Sequence, residues 1–198
     1  MKKTANGNMY TVALDSTWDS FEQNLEGARS GLFLAAYTKP PSEAVLQAMR
    51  ATAKSLGYGE PGATFASLRI EPAAQITEAL EAAEASSADL SLASSEGEVS
   101  AISATLQADS QAPEMLLDPI AIFSLVEGLD PLVIVALDAS AASLLSATYK
   151  QDILLERAGQ LFGRPLVAFA DFATHLENPD AKQRAWRLLK TLPTYSGK

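Results

Sequence analysis

Few side chains in this sequence can move a proton near neutral pH. His175 is the only histidine, and imidazole is the side chain whose ordinary titration falls nearest neutrality. Asp171 directly follows a strand-like apolar run, where a carboxylate held in a cleft can serve as acid or base. Tyr37, Thr38, Ser67, Asp138 and Phe172 fall on similar positions after apolar runs. They would supply rings to stack a planar ligand, and hydroxyls and a carboxylate to hydrogen-bond it. Each also has an ordinary structural role. Asp138 and Asp171 can cap helices or close turns, and His175 can sit at the entry to a helix capped by Asn178. The chain has no cysteine, which removes disulfides, thiolate chemistry and any iron–sulfur cluster held by cysteines. One histidine with scattered carboxylates offers no metal-ligand set, so neither metal nor cofactor is expected. The serines of 86–110 contain no nucleophile-elbow pattern.

The elements that would position these residues are clearest from Asp130 to Leu192. Pro131 to Leu137 is a continuous apolar run rich in β-branched residues, as strands buried on both faces are. Asp138 then caps an alanine-rich helix, Ala139–Tyr149. Gly163-Arg164-Pro165 leads into a second run, Leu166 to Ala170. Asn178-Pro179 starts a helix with Ala185, Trp186, Leu189 and Leu192 inward and Lys182, Arg184, Arg187 and Lys190 outward. Earlier in the chain, Met9 to Leu14 reads as a short edge strand. Ser16 reads as the N-cap of a helix packing Trp18, Phe21, Leu25 and Ala28. Gly31 to Ala36 reads as a first parallel strand, Ser42 to Leu56 as a helix ending at Gly57, and Ala63 to Ile70 as the next strand. Pro72 to Ala85 favours a helix with an acidic outer side. Residues 90–101 fit a hairpin or a loop and helix, Ser110 to Pro113 reads as a linker, and Glu114 to Glu127 reads as a helix. The expectation is one α/β domain over 1–198: three α/β/α layers around a mainly parallel sheet of about four strands.

The spacing Pro131 to Leu137, Ala141-Ala142 to Leu145, Gly163 to Val167 and Leu-x-Asn-Pro-x-x-Lys-x-x-Ala-Trp-x-x-Leu over Leu176 to Leu189 resembles the C-terminal half of the uracil-DNA glycosylase superfamily. The bacterial iron–sulfur branch is the most similar. The resemblance implies that family's fold. It also implies a site in two loops: Gly-Glu-x-Pro-Gly after the first strand and His-Pro-Ser-x-Leu-Leu after the last, which position a flipped base, its attacking water and the deoxyribose phosphates. Ungapped counting puts the second motif on Asp171-Phe172-Ala173-Thr174-His175-Leu176, where only Leu176 survives. The first falls on Ala35-Ala36-Tyr37-Thr38-Lys39, with neither glycines nor carboxylate. Ser67 lies nearest the family's base-reading asparagine, and Asp138 stands where the family usually has glycine. Gly59-Glu60-Pro61-Gly62 spells something like the first motif but lies between a helix and a strand, where it reads as a turn.

A length of 198 residues with 47% hydrophobic content suits one domain with a sizeable core. Fifteen Lys and Arg against twenty-four Asp and Glu leave a formal charge of -9, a field that opposes nucleic acid and anionic lipid. No apolar run approaches a membrane span, and no signal peptide opens the chain, so a cytoplasmic location is expected. An intact scaffold signature without the motifs or cluster cysteines implies a non-catalytic binding or interaction module for a small ligand or a protein partner, in DNA metabolism if the family's setting is retained. The alternative is a divergent glycosylase, or a nucleoside- or base-processing enzyme, using Asp171 or His175.

Overall fold

The N-terminal turn of the described chain departs from its sequence pattern. In the computed structural model, which describes residues 9–59, 62–69 and 116–196, Met9–Ser20 is a helix, α1, rather than an edge strand followed by a Ser16 cap. The alternation of Tyr10, Val12 and Leu14 imitates a strand, but Met9 and Val12 are exposed. Burial in this helix falls on Thr17 and Trp18. The Thr17 and Ser20 hydroxyls donate back to Ala13 and Ser16 carbonyls, and the helix stops there. A 3₁₀ turn, Glu22–Asn24, carries the chain into a three-residue strand, β1 (Leu25–Gly27). Leu25 therefore lies in the sheet, not on the expected helix.

The other elements are β2 (Phe33–Tyr37), α2 (Glu43–Ser55), β3 (Thr64–Ser67), α3 (Pro119–Leu129), β4 (Val133–Ala136), α4 (Ala139–Tyr149), β5 (Arg157–Leu161), β6 (Arg164–Ala168), α5 (Phe172–Glu177) and α6 (Pro179–Leu189). They include two that the sequence pattern does not show, the strand at Arg157–Leu161 and the helix at Phe172–Glu177, and the helix expected over Glu114 to Glu127 starts only at Pro119; the rest follow their patterns. Local chemistry fixes their ends. Asp118 accepts from Ala121 N at 2.7 Å with Pro119 at the first turn, and Asn178 accepts from Asp180 N at 2.9 Å ahead of Pro179. Gly57, at φ +90°, ends α2 in the left-handed conformation open to glycine.

The six strands form one mixed sheet in the order β1-β3-β2-β4-β6-β5. The four inner strands are parallel, and the two edges, β1 on β3 and β5 on β6, are antiparallel. The expected sheet of about four mainly parallel strands is thus extended by two edge strands. The Pro72–Ala85 helix, the alternatives for 90–101, the 110–113 linker and residues 60–61 of the Gly59–Gly62 turn lie outside the described residues.

Alternation along the inner strands builds a core on each face. Leu34, Ala36, Ala66, Ile134, Ala136, Leu166 and Ala168 face α1, α3 and α4. Phe33, Ala35, Phe65, Val133, Val135 and Val167 face α2, α5 and α6. The result is a three-layer α/β/α arrangement. The layers differ in texture. Ala66, Ala36, Ala136 and Ala168 stand in register across four strands on the first face, so α4 brings Ala141 and Ala142 against a thin floor. The second face is aromatic: Phe33 meets Tyr58 edge-on at 5.6 Å, and Phe169 meets Phe172 at 4.9 Å.

Candidate functional site

In a parallel sheet the loops beyond the strand carboxyl ends are where ligands bind, and here those loops are stitched to one another. β2 and β4 are neighbours, so Thr38 after β2 and Asp138 after β4 emerge side by side. Asp138 is 8% exposed and both its carboxylate oxygens are occupied. One oxygen accepts from Thr38 N at 2.7 Å and, weakly, from Lys39 N at 3.4 Å. The other accepts from the Thr38 hydroxyl at 2.8 Å and from Ala141 N at 2.8 Å. Asp138 is therefore the N-cap of α4 and also a clamp between two strand ends. The buried Thr38 hydroxyl donates to that clamp.

β6 is tied in similarly. Ala139 N donates to Ala170 O at 3.0 Å and Phe172 N to Leu137 O at 2.9 Å, which bridges Asp138 and Asp171. Asp171 caps α5 by accepting from Ala173 N at 3.0 Å. One turn on, His175 Nε2 lies 3.1 Å from Glu156 Oε1, an oxygen that also accepts from Ala170 N at 3.0 Å. Glu156 sits just before β5 at φ +56°, a left-handed conformation costly for a side chain of its kind. The imidazole also packs edge-on against Phe169, 5.4 Å between centroids.

Two concavities flank this region. A cleft of about 760 Å³, polar by virtue of its charged rim, is lined by Glu156, Asp171, Thr174, His175, Arg184 and Arg187, with Ala170, Ala181, Leu188 and Thr191 between them. An apolar groove of about 560 Å³ runs between α2 and α6, over Ala48, Ala51, Phe172, Leu176, Trp186 and Leu189. Asp171 and His175 thus share the polar cleft, while Phe172, 3% exposed, belongs to the core and the floor of the apolar groove. Tyr37 lines neither and packs against the α2-side core. Ser67 lies on the far side of β2. Its hydroxyl is 3.4 Å from Arg69 N and its carbonyl accepts from Asn24 Nδ2 at 3.0 Å. The seven residues therefore divide into a Thr38–Asp138 clamp, an Asp171–His175 cleft, and Tyr37, Ser67 and Phe172 in separate surroundings.

Sequence reasoning missed Glu156. Glu156 belongs to the approach to β5, a strand without an apolar pattern, and only the β5–β6 pairing carries it to His175. Arg184 and Arg187 are exposed, as a solvated helix face requires, and they also line the concave side with His175. Among the described residues no three His, Cys, Asp or Glu stand close enough to hold a metal ion. No helix there is long and apolar enough to cross a membrane. A scan of protein-family models and a search of curated proteins each return no match to this chain.

Proposed function

We propose that this chain is a binding module on a uracil-DNA-glycosylase-like scaffold that has given up base excision. The finer likeness rests on the Pro131–Leu189 signature. The parallel core of β3, β2, β4 and β6, with α4 and α6 on opposite faces, is compatible with it. The observation that carries the functional reading is the saturated Thr38–Asp138 clamp. At the loop where the family would offer a water-activating carboxylate, this chain presents a hydroxyl already donated to a carboxylate whose two oxygens are already filled. Such a group has no lone pair directed at a substrate without first breaking the fold. A small ligand or protein partner would then be recognised beside β6.

A second reading has its own observation. The Glu156–His175 contact in a cleft is the arrangement by which a carboxylate orients an imidazole for proton transfer. In a divergent base- or nucleoside-processing enzyme, His175 or Asp171 would be the acid or base. Against it, neither Thr38 nor Tyr37 lines that cleft. The deciding experiment titrates the protein against single- and double-stranded DNA with and without uracil, at low and at physiological salt, and measures free base in the same samples. The expected result is no base release and no uracil-dependent binding. Base release that disappears in Asp171→Asn or His175→Ala would overturn the binding-module reading in favour of the enzyme.

A further inference from the structure

The polar cleft holds opposite charges that do not pair across it. Arg184 and Arg187, one turn apart on α6, both line it, and among the described residues neither makes an ion pair or a hydrogen bond. Asp171 uses Oδ1 on Ala173 N and no donor meets its other oxygen among the described residues. Glu156 commits Oε1 to His175 and Ala170 N, and its Oε2 likewise meets no donor there. Helix polarity accounts for one cation in the last turn of α6, the place of Arg187. Arg184, Arg187, Asp171 and Glu156 are each exposed, so solvent serves them in the free chain, and what the fold adds is both signs of charge around one concavity.

We propose that this cleft binds a small zwitterion, a molecule carrying a carboxylate and an ammonium group. Its carboxylate lies between Arg184 and Arg187, and its ammonium lies against Asp171 Oδ2 and Glu156 Oε2. The inference rests on reading the chain as a binding module and deepens it. A guanidinium is the donor best matched to a carboxylate, which it can engage through two parallel N–H bonds. A polyanion is disfavoured by the two cleft carboxylates and by the -9 charge of the chain. A purely cationic ligand would meet the two unpaired arginines. A ligand bearing both signs matches both sets of charges at once, and the Thr174 hydroxyl, which donates to Asp171 O at 2.8 Å, lines the cleft with an acceptor.

The chain carries its own reporter, because His175 is the single histidine and lines the cleft. The imidazole resonances of the full chain are followed by NMR at constant pH and chloride while glycine, β-alanine and 4-aminobutyrate are added separately. Acetate, methylammonium and inorganic phosphate serve as single-charge controls. The expected result is a saturable shift with at least one zwitterion, at least tenfold tighter than acetate or methylammonium. That shift is lost in Arg184→Gln/Arg187→Gln and weakened in Asp171→Asn, but retained in Lys182→Gln, whose lysine lines the apolar groove. The arginines are exposed, so the double variant is expected to fold, and its backbone amide spectrum verifies that. No saturable shift with any zwitterion, equal binding of acetate or phosphate, or an unchanged response in the arginine variant would overturn the proposal. Each outcome is independent of base release. A chain that excised uracil and bound a zwitterion would sink the preceding reading alone.

Discussion

Replacing Asp138 tests whether the strand-end clamp is structural in the sense argued above. In Asp138→Ala, α4 loses its N-cap, worth about 1 kcal/mol. Thr38 N and the Thr38 hydroxyl lose their acceptors at a residue only 2% exposed. A buried donor left without a partner costs about 1–3 kcal/mol, and the hydroxyl falls at the lower end because it can rotate. Lys39 N, at 3.4 Å, adds little. The sum is about 3–5 kcal/mol, or a fall of about 10 °C in Tm for a chain of this length. Asp138→Asn separates the two roles. Asparagine caps helices as well as aspartate does, but its amide group would face Thr38 N, donor against donor, so about 2 kcal/mol should still be lost. Thr38→Val should lose about 1 kcal/mol, and combining it with Asp138→Ala should cost less than the sum of the two, since they share a bond. The assay is urea unfolding followed by far-UV circular dichroism, comparing midpoints at constant slope. A loss below about 1 kcal/mol in Asp138→Ala would refute the reasoning. An asparagine variant as stable as the parent would reduce the clamp to a cap.

The amino-terminal side of the sheet gives a pH prediction. Arg164 forks onto Glu127 at 2.8 and 2.9 Å and reaches Asp130 at 2.9 Å, while the Tyr149 hydroxyl donates to Glu127 at 2.7 Å. The Arg164 hydrogen bonds hold the Glu127 carboxyl below its ordinary 4.5, against the opposing effect of burial. Its contribution is therefore complete above pH 4.5 and lost as pH falls through the depressed folded value. After solvent screening that amounts to about 1 kcal/mol, so Glu127→Gln should flatten the acid limb of a stability–pH curve. Burial, and then the bond to Glu127, push the Tyr149 hydroxyl well above 10.0, so its contribution is intact below pH 10.0 and lost at higher pH. Tyr149→Phe should flatten the alkaline limb. Gly128→Ala offers a prediction of sign. In an open helix it would stabilise by about 1 kcal/mol, but here the added Cβ would fall inside the Thr17 side chain of α1. A loss of about 1–3 kcal/mol is expected by urea unfolding, and any gain would contradict the α1–α3 packing.

The parts of the fold legible in the sequence were those buried on two sides. Val133–Ala136 and Arg164–Ala168 sit among covering helices, so their apolar runs state their role, and Asp138 and Asn178 mark helix starts through bonds to the backbone, whereas the Asp118 cap stands four residues past the start expected from the sequence pattern. The edge strands were not legible, because their pairing comes from neighbours. Arg157–Leu161 buries only Leu161 and is a strand because its backbone runs against β6. Leu25–Gly27 is too short to show a period. The same cause hid half of the polar cleft. Asp171 and His175 were visible beside the apolar run, while Glu156 reaches them only through β5. Asp138 was readable as a cap, but its second partner, Thr38, is a hundred residues distant in sequence.

The alanine row across β3, β2, β4 and β6 bears on how this chain can change over time. Alanine has no rotamers to lose on folding, so order along that row carries almost no side-chain entropy cost. It also leaves no slack: a larger residue at Ala36 or Ala136 must push α4 away from the sheet. That would tilt the Asp138 cap away from Thr38. Neutral drift should therefore be asymmetric. Aliphatic exchange should be tolerated at Ile134 or Leu166, which fill space beside the row, whereas at the four alanines nearly every accepted substitution should be glycine or serine. A saturation library scored for folded protein would show this as a narrow band of intolerance running straight across the sheet, perpendicular to the strands and centred on positions that bear no chemistry at all.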